Sequence, residues 1–201
     1  MTRTELIQHF IDKRGYKSYL EIGCFRNENF NKIKCESKVS VDPDPEAKAT
    51  RCMTSDAFFD EIADYKCDDE FDIIFIDGLH EHKQVWRDIE NSLKHLKKGG
   101  VIILHDCCPT SEHTARWDDK SHQHEEWYGD VYKAYMKARN DLCCDVYVIP
   151  EDCGCGVIDT SKYIAAKEDN KPLDMEEITY DDYHIAKEIG IYGERSFNDN
   201  L

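Results

Sequence analysis

Two aspartates and two histidines stand directly after apolar segments of the chain, where they are placed for acid–base or metal chemistry. Asp77 and His80 follow one apolar run, and His105 and Asp106 follow another. A histidine exchanges protons near neutral pH, and paired carboxylates bind hard divalent cations such as Mg²⁺. The four residues are therefore the catalytic candidates, and Asp77 and Asp106 are also candidates for a metal site.

The segments that precede these residues are predicted to be adjacent buried strands of one parallel sheet. Phe71–Ile76 contains a single polar residue and Val101–Leu104 contains none, as in strands covered by helices on both faces. Between them, His82–Leu96 has apolar residues at helical spacing and is followed closely by two glycines. Ligands bind beyond the carboxyl ends of such strands, so the sequence predicts a site where these two strands end.

The rest of the chain continues this alternation, which predicts an α/β fold with a mostly parallel sheet. We expect one domain over residues 1–201, with a core at about 17–160 and an acidic extension at 161–201. Cys24–Ile33 is expected to turn and become helical. Cys107–Glu126 lacks apolar periodicity and is expected to form a loop over the site. The other predicted strands are Ser18–Ile22, Lys38–Val41, Arg51–Met53 and a hairpin of Asp145–Ile149 with Cys155–Ile158.

Three further strand ends carry residues suited to binding a nucleoside. Glu21 and Gly23 end the first strand, where glycine permits a tight turn. Asp42 ends the next strand about twenty residues later, where an acid can accept hydrogen bonds from both ribose hydroxyls. Ser55 and Asp56 offer a backbone amide and a carboxylate to an adenine edge. The pattern predicts an adenosine-containing cofactor that lies across the strand ends.

NAD is one such cofactor, but the loop after the first strand departs from the dinucleotide-binding motif. Phe25 and Arg26 occupy places where Gly-x-Gly-x-x-Gly has small residues, which let a pyrophosphate approach the backbone. A nucleoside without phosphates fits this loop better, so a NAD-dependent enzyme is disfavoured.

A set of short motifs occurs in a fixed order: Tyr19–Gly23, Val41–Pro43, Thr54–Phe59, Phe71–His80, Val85–Ile89 with Arg87 and Asp88, Gly99–Ile102 and Leu104–Asp106. Their order resembles that of a class I S-adenosylmethionine-dependent methyltransferase, and more narrowly the small domains grouped as methyltransferase family 24. The resemblance covers roughly residues 17–160. It implies a Rossmann-like methyltransferase fold, which is a mostly parallel seven-stranded sheet with helices on both faces and an antiparallel C-terminal hairpin.

The resemblance implies that S-adenosylmethionine is the cofactor. It also implies which part of the cofactor each strand-end residue would contact. Glu21 and Gly23 would line its methionine end. Asp42 would hold the ribose, and Ser55 with Asp56 the adenine. The full set of predicted cofactor contacts is Glu21, Gly23, Cys24, Asn27, Asp42, Ser55, Asp56 and Asp77.

Methyl transfer to oxygen requires that a weakly acidic hydroxyl becomes nucleophilic. The residues present allow two ways to achieve this. One is a general base, for which His80 is the first candidate and His105 the second. The other is a divalent metal, Mg²⁺ or Mn²⁺, bound by Asp77 and Asp106, which would acidify the bound hydroxyl. Cys107 follows Asp106 at a place where an oxygen ligand would suit Mg²⁺, so the sequence leaves both ways open.

The acceptor is expected to be a small hydroxyl compound, and the resemblance favours a sugar of a glycan. Trp127 and Tyr128 are candidate acceptor contacts because aromatic faces pack against the C–H surfaces of sugars, and His113 in the preceding loop is a third. Similar domains accompany glycosyltransferases, so association with or fusion to such enzymes is implied. The alternative is a non-catalytic nucleoside-binding scaffold module of a larger glycan-synthesis assembly.

The amino-acid composition argues against two classes of binding partner. The formal net charge is −16, which argues against broad binding to nucleic acid phosphates and to anionic membrane surfaces. The N-terminal residues lack the pattern of a signal peptide, so we expect a cytoplasmic protein. The ten cysteines include two adjacent pairs and no Cys-x-x-Cys motif, and we expect most of them to be reduced thiols with a structural role.

Overall fold

The computed structural model describes residues 1–64, 70–118, 127–165 and 171–197, which form a seven-stranded sheet flanked by helices. The end of the loop expected at 107–126 and parts of the acidic extension lie outside the described residues. In the described ranges, no helix has the length and apolar content that crossing a membrane requires. The strands are β1 (Ser18–Ile22), β2 (Ser37–Asp42), β3 (Arg51–Cys52), β4 (Phe71–Ile76), β5 (Leu96–Leu104), β6 (Cys144–Ile149) and β7 (Cys155–Tyr163); the helices are α1 (Arg3–Arg14), α2 (Ser55–Asp64), α3 (His82–Lys94), α4 (Val131–Asp141) and α5 (Tyr180–Glu188).

The strands lie in the order β3-β2-β1-β4-β5-β7-β6. The first five are parallel to one another, and β7 lies antiparallel between β5 and β6. Helix α1 packs on one face, and α2, α3, α4 and α5 pack on the other. The predicted fold class, a mostly parallel Rossmann-like sheet with an antiparallel C-terminal hairpin, is confirmed.

Strand β4 is buried on both faces, as its apolar sequence predicts. Ile73 and Phe75 pack in the core on the α1 side, whereas Ile74 and Ile76 pack in the core on the α2–α3 side. Each of the four is at most 3% exposed. Such a strand tolerates polar side chains only where it leaves the core, so Asp77 emerges at its carboxyl end.

The expected helix within Cys24–Ile33 is wrong, because this segment is a series of turns. Phe25 and Asn27 have positive φ angles of 50° and 58°, which interrupt a right-handed helix. The amide nitrogen of Asn27 donates to the carbonyls of Ala47 and Lys48 at 3.2 and 2.7 Å. This tertiary contact stabilises the conformation that a local sequence pattern does not report.

The boundary between α3 and β5 also differs from the prediction. Helix α3 ends at Lys94, and β5 starts at Leu96 rather than at Val101. The polar residues Lys97 and Lys98 with the glycine pair therefore belong to a strand. Its register against β4 shifts between Phe71 and Ile73, which is the irregularity that a bulge accommodates.

The described part of the C-terminal extension packs against the same core. Tyr183 and Tyr192 are each 1% exposed. The hydroxyl of Tyr183 donates to the carbonyl of Pro109 at 3.2 Å, and that of Tyr135 in α4 donates to the carbonyl of Tyr192 at 2.7 Å. Residues 173–192 thus cover the α4 side of the sheet.

Candidate active site

A cavity of about 740 Å³ opens at the carboxyl ends of β1, β2 and β4. This is the edge of the sheet at which ligands of open α/β folds bind. Six of the eight predicted cofactor contacts line it: Glu21, Gly23, Cys24, Asp42, Ser55 and Asp77. Its volume lies in the usual range for pockets that enclose a small organic ligand.

Gly23 brings the loops after β1 and β4 together. It has a φ of 77°, and a Cβ at this position would lie 2.3 Å from the carbonyl oxygen of Asp77. A side chain would therefore collide with backbone and force the two strand ends apart. The glycine at this strand end is required by the close approach of Asp77.

Glu21 is a buried carboxylate, 1% exposed, on the wall of the cavity. The hydroxyl of Tyr19 and the amide of Asn29 both donate to its Oε2, the latter at 2.9 Å. Burial raises the pKa of Glu21 to about 7, although these two donors act in the opposite direction. A positively charged ligand group would favour its ionised form.

Asp42 holds the loop that follows β1. Its Oδ2 accepts hydrogen bonds from the backbone amides of Cys24 and Phe25, both at 3.0 Å, and its Oδ1 accepts one from Asp44 N at 2.9 Å. The buried thiol of Cys24 has a pKa raised to about 11 by burial, so it lines the cavity as a neutral group. Asp42 thus shapes the loop as well as lining the cavity.

The adenine end of the predicted site includes Gln84, which the sequence did not single out, and Asp88, which belongs to the Val85–Ile89 motif but received no role from it. Gln84 and Asp88 of α3 line the cavity beside Ser55. The amide of Gln84 lies 3.2 Å from Ser55 Oγ and 3.1 Å from Asp88 Oδ1. Burial raises the pKa of Asp88 to about 6. Gln84 and Asp88 stand four positions apart and so share one face of α3. This spacing is common in helices, and only the contact with Ser55 seen in the structure connects it with the site.

Two predicted cofactor contacts are not in the cavity lining. Asn27 donates instead to the carbonyls of Ala47 and Lys48, at the end of the short 3₁₀ helix Pro45–Ala47 that follows β2. Asp56 Oδ1 lies 3.2 Å from the amide of Gln84, and its Oδ2 lies 3.4 Å from Arg87. The structure therefore places neither residue in the cavity lining, and direct contact with a cofactor stays a prediction.

The four catalytic candidates converge at one end of the cavity. His80 Nε2 lies 3.2 Å from Asp106 Oδ2 and 3.7 Å from Asp77 Oδ1. His105 Nδ1 lies 3.0 Å from Asp106 Oδ2 and 3.3 Å from Asp77 Oδ1. Asp77 and His80 line the cavity, whereas His105 and Asp106 are 4% and 5% exposed and lie behind them.

The ring of His80 is held by the segment that precedes α4. Its Nδ1 lies 3.2 Å from the carbonyl oxygen of Trp127, and the two rings stack with centroids 4.7 Å apart. Gly129 packs so closely that a Cβ there would be 2.1 Å from the carbonyl oxygen of His80. Because a carbonyl only accepts, Nδ1 carries the proton and Nε2 faces the two carboxylates.

Arg3 and Asp152 complete the cluster, and sequence reasoning missed both. Arg3 Nη1 donates to Asp77 Oδ2 at 2.7 Å, and its Nε lies 3.3 Å from Asp152 Oδ2. Asp152 Oδ1 lies 3.7 Å from His105 Nε2. Arg3 begins α1 and Asp152 lies in the turn between β6 and β7, so neither follows a parallel strand and no spacing rule marks them.

Charge governs the protonation of this cluster. Burial would lower the pKa of His80, but Asp77 and Asp106 raise it above its ordinary value. The pKa of His105 is likewise raised by Asp106, Asp152 and Asp77 against the effect of burial. Burial would raise the pKa of Asp77, but the two imidazoles and Arg3 hold it well below the usual range. Charged partners therefore stabilise ionised groups here.

Three of these side chains are also close enough together to bind one metal ion. One atom each from Asp77, His80 and Asp106 lies within 4.8 Å of the other two. Asp106 has a φ of 60°, an uncommon backbone conformation for a residue other than glycine. The neighbouring Cys107 is fully buried, and its Sγ lies 3.9 Å from the carbonyl of Leu104. His80, rather than the residue after Asp106, supplies the third donor.

The predicted acceptor contacts are only partly brought near the cavity. Trp127 is half-buried and stacks on His80. Tyr128 is 2% exposed and packs beside the Cys153 thiol, and His113 is exposed. None of these three residues lines the cavity, so their role as acceptor contacts stays a prediction.

Comparison with known proteins agrees with this geometry. Residues 18–107, somewhat less than half of the chain, match the model of a methyltransferase domain family. No curated protein matches the sequence. Among solved structures, an O-methyltransferase from Bacillus cereus in complex with SAH has 14% identity, covers 78% of this chain and 80% of its own, and has a TM-score of 0.57. The O-methyltransferase TomG from Streptomyces achromogenes, in complex with SAM, has 13% identity, 79% coverage of each chain and a TM-score of 0.57. The chain thus contains a segment that matches a methyltransferase domain family, and it shares the fold of these two O-methyltransferases.

Proposed function

We propose that the chain transfers the methyl group of S-adenosylmethionine to a hydroxyl of a small acceptor, with a sugar of a glycan as the leading class. The observation that carries the proposal is the placement of His80. Its Nε2 faces Asp77 and Asp106 at the end of the cavity, while Nδ1 is engaged by Trp127. The two similar structures are described as O-methyltransferases, which supports oxygen as the methylated atom.

The cavity lining supports one orientation of the cofactor. In the proposed orientation, Glu21 would accept the methionine ammonium group, and Asp42 the ribose hydroxyls. Ser55 at the start of α2, with Gln84 and Asp88 of α3, lines the same cavity and would contact the adenine. The sulfonium would then lie close to Asp77, whose negative charge stabilises a cationic group.

His80 is proposed as the general base. As the acceptor oxygen attacks the methyl carbon, a C–O bond forms, the S–C bond breaks and S-adenosylhomocysteine leaves as a neutral thioether. The form of His80 that acts is the neutral imidazole, which predominates only above its raised pKa. The hydroxyl proton passes to its Nε2, and the resulting imidazolium is stabilised by Asp77 and Asp106. The carbonyl of Trp127 keeps the ring in the tautomer that this step requires.

The donor set also fits a divalent metal, for which Asp77, His80 and Asp106 would be the ligands. When bound, the metal would lower the pKa of the acceptor hydroxyl. Two carboxylates with one imidazole suit Mn²⁺ better than Mg²⁺, which prefers oxygen ligands. Because one Nε2 cannot both bind a metal and accept a proton, the two ways of activating the hydroxyl exclude each other at His80.

The sugar assignment rests on the resemblance to family 24 domains, and the surface near the cavity supports it. Leu79 is 54% exposed in the cavity lining, and Trp127 presents an aromatic ring against His80. Apolar and aromatic faces of this kind pack against sugar rings. The same resemblance supports association with, or fusion to, glycosyltransferases.

Two measurements test the proposal. Titration calorimetry with S-adenosylhomocysteine should show one site per chain, and a folded sample that gives no heat would exclude the cofactor assignment. Transfer of tritium from [methyl-³H]S-adenosylmethionine is then measured with a panel of hexoses, pentoses and nucleotide sugars, with catechol as a comparison acceptor. Labelling of catechol alone would contradict the sugar class, and full activity in EDTA would exclude the metal.

A further inference from the structure

Arg3 of the N-terminal helix makes direct contact with the reaction cluster, although it lies outside the matched residues 18–107. Its guanidinium donates to Asp77 Oδ2 at 2.7 Å and lies within 3.4 Å of both carboxylate oxygens of Asp152. Asp77 and Asp152 lie on either side of His105, at 3.3 and 3.7 Å from its two ring nitrogens. One guanidinium therefore bridges the two carboxylates that flank the buried imidazole.

The contact divides the two oxygens of Asp77 between different partners. Oδ2 accepts from Arg3, whereas Oδ1 faces His80 and His105. A carboxylate fixed through one oxygen by a guanidinium cannot rotate freely about its side-chain bonds. Arg3 thus determines which oxygen of Asp77 is directed at the proposed base.

Charge strengthens this argument. Asp77, Asp106 and Asp152 bring three carboxylates together, and Arg3 is the cation of the described cluster that stays charged at every pH of interest. The side chains of Arg3 and Asp77 are 32% and 17% exposed, so water screens them only in part. Loss of the guanidinium would leave Asp77 to repel its neighbours or to turn towards solvent.

Helix α1 is held in place without the guanidinium. The backbone amide of Arg3 donates to Asp152 Oδ2 at 2.6 Å, which satisfies one of the free amides at the helix start. At the other end of α1, Arg14 donates to both oxygens of Asp159 at 2.9 and 2.5 Å. The side chain of Arg3 can therefore be changed while the helix remains docked.

We propose that Arg3 is a positioning residue for methyl transfer, which fixes the Asp77 carboxylate and makes α1 part of the active site. The inference rests on the proposed role of Asp77 in that reaction. It assigns the N-terminal helix a part in catalysis that neither the family match nor the strand-end motifs indicate.

The test compares Arg3→Gln and Arg3→Lys with Arg14→Gln, an arginine of the same helix that pairs with an aspartate away from the site. Ring ¹⁵N NMR signals of His80 and His105, assigned with His80→Gln and His105→Gln, should shift in Arg3→Gln and stay unchanged in Arg14→Gln. Thermal unfolding measures the structural effect of each change. Arg3→Lys should restore the signals in part, because it keeps a charge but not the two-oxygen geometry.

Steady-state kinetics are measured with a sugar of the acceptor panel that the wild-type protein methylates. We expect kcat of Arg3→Gln to fall about a hundredfold, the usual cost of a misplaced catalytic group, with the KM for the sugar unchanged. Unchanged ring signals and kcat in Arg3→Gln, or equal changes in Arg14→Gln, would overturn the inference. If no panel sugar is methylated, the proposed function fails, and the NMR comparison alone still decides whether Arg3 orients the cluster.

Discussion

Glu21 predicts a steep pH dependence of cofactor binding. Its pKa is raised from 4.5 to about 7 in the protein, chiefly by burial. A shift of this size corresponds to about 3 kcal/mol, and it remains although the Tyr19 and Asn29 hydrogen bonds and the charge of Arg3 lower the pKa. The methionine ammonium of S-adenosylhomocysteine would supply a further cation, and it keeps its proton throughout the neutral range. Binding should therefore require the ionised form of Glu21.

The magnitude follows from the ionised fraction. With a pKa of about 7, roughly one tenth of Glu21 is ionised at pH 6 and roughly one hundredth at pH 5. We expect the affinity for S-adenosylhomocysteine to fall about tenfold per pH unit below 7 and to level off above pH 8. Calorimetry at pH 6 in buffers of different ionisation enthalpy should show release of about one proton per ligand bound.

Two variants identify the titrating group. Glu21→Gln should bind weakly at every pH with little slope, whereas Glu28→Gln, an exposed residue of the same cavity, should keep the wild-type profile. The ligand-free protein gives an independent check. Since the folded pKa is raised above its ordinary value of 4.5, Glu21 destabilises the fold increasingly from about pH 4.5 to 7 and by a constant amount above that, so Glu21→Gln should gain more stability at pH 8 than at pH 5. A flat wild-type binding profile would refute the assignment.

Four further substitutions or treatments test the site. His80→Gln should lower turnover by about 10² to 10⁴ and leave S-adenosylhomocysteine affinity unchanged; retained activity would exclude His80 as the base. Gly129→Ala, whose Cβ would meet the His80 carbonyl at 2.1 Å, should reduce kcat with little effect on cofactor binding by calorimetry. Gly23→Ala, with a Cβ 2.3 Å from the Asp77 carbonyl, should lower the melting temperature and abolish cofactor binding; normal binding would contradict the close approach. Asp106→Asn should eliminate any stimulation by Mn²⁺ after EDTA treatment, and undiminished stimulation would place the metal elsewhere.

The sheet and the strand-end residues could be predicted because local sequence carries the required information. A strand buried on both faces must be apolar along its length, so its first polar residues mark where it leaves the core. This rule located Asp77 and Asp106 and also the glycine after β1. The strands that carry them are parallel neighbours, so their ends meet whatever the rest of the chain does.

Contacts between distant segments could not be predicted in this way. Arg3 lies on an amphipathic helix and Asp152 in a polar turn, and both patterns are those of ordinary surface residues. The backbone partner of His80 comes from Trp127, 47 positions away. The turns at Phe25 and Asn27 replaced an expected helix for the same reason, because their conformation depends on carbonyls near Ala47.

The position of β7 between β5 and β6 has a consequence for synthesis of the protein. As the chain emerges from the ribosome, β5 has one paired edge and one open edge, because its second neighbour is made about fifty residues later. An open apolar edge such as Val101–Leu104 is prone to pair with other chains. Closure of that edge by β7 also delivers Asp152 to an arginine 149 positions earlier in the chain. Nascent chains are therefore most exposed to aggregation just before they become competent for methyl transfer.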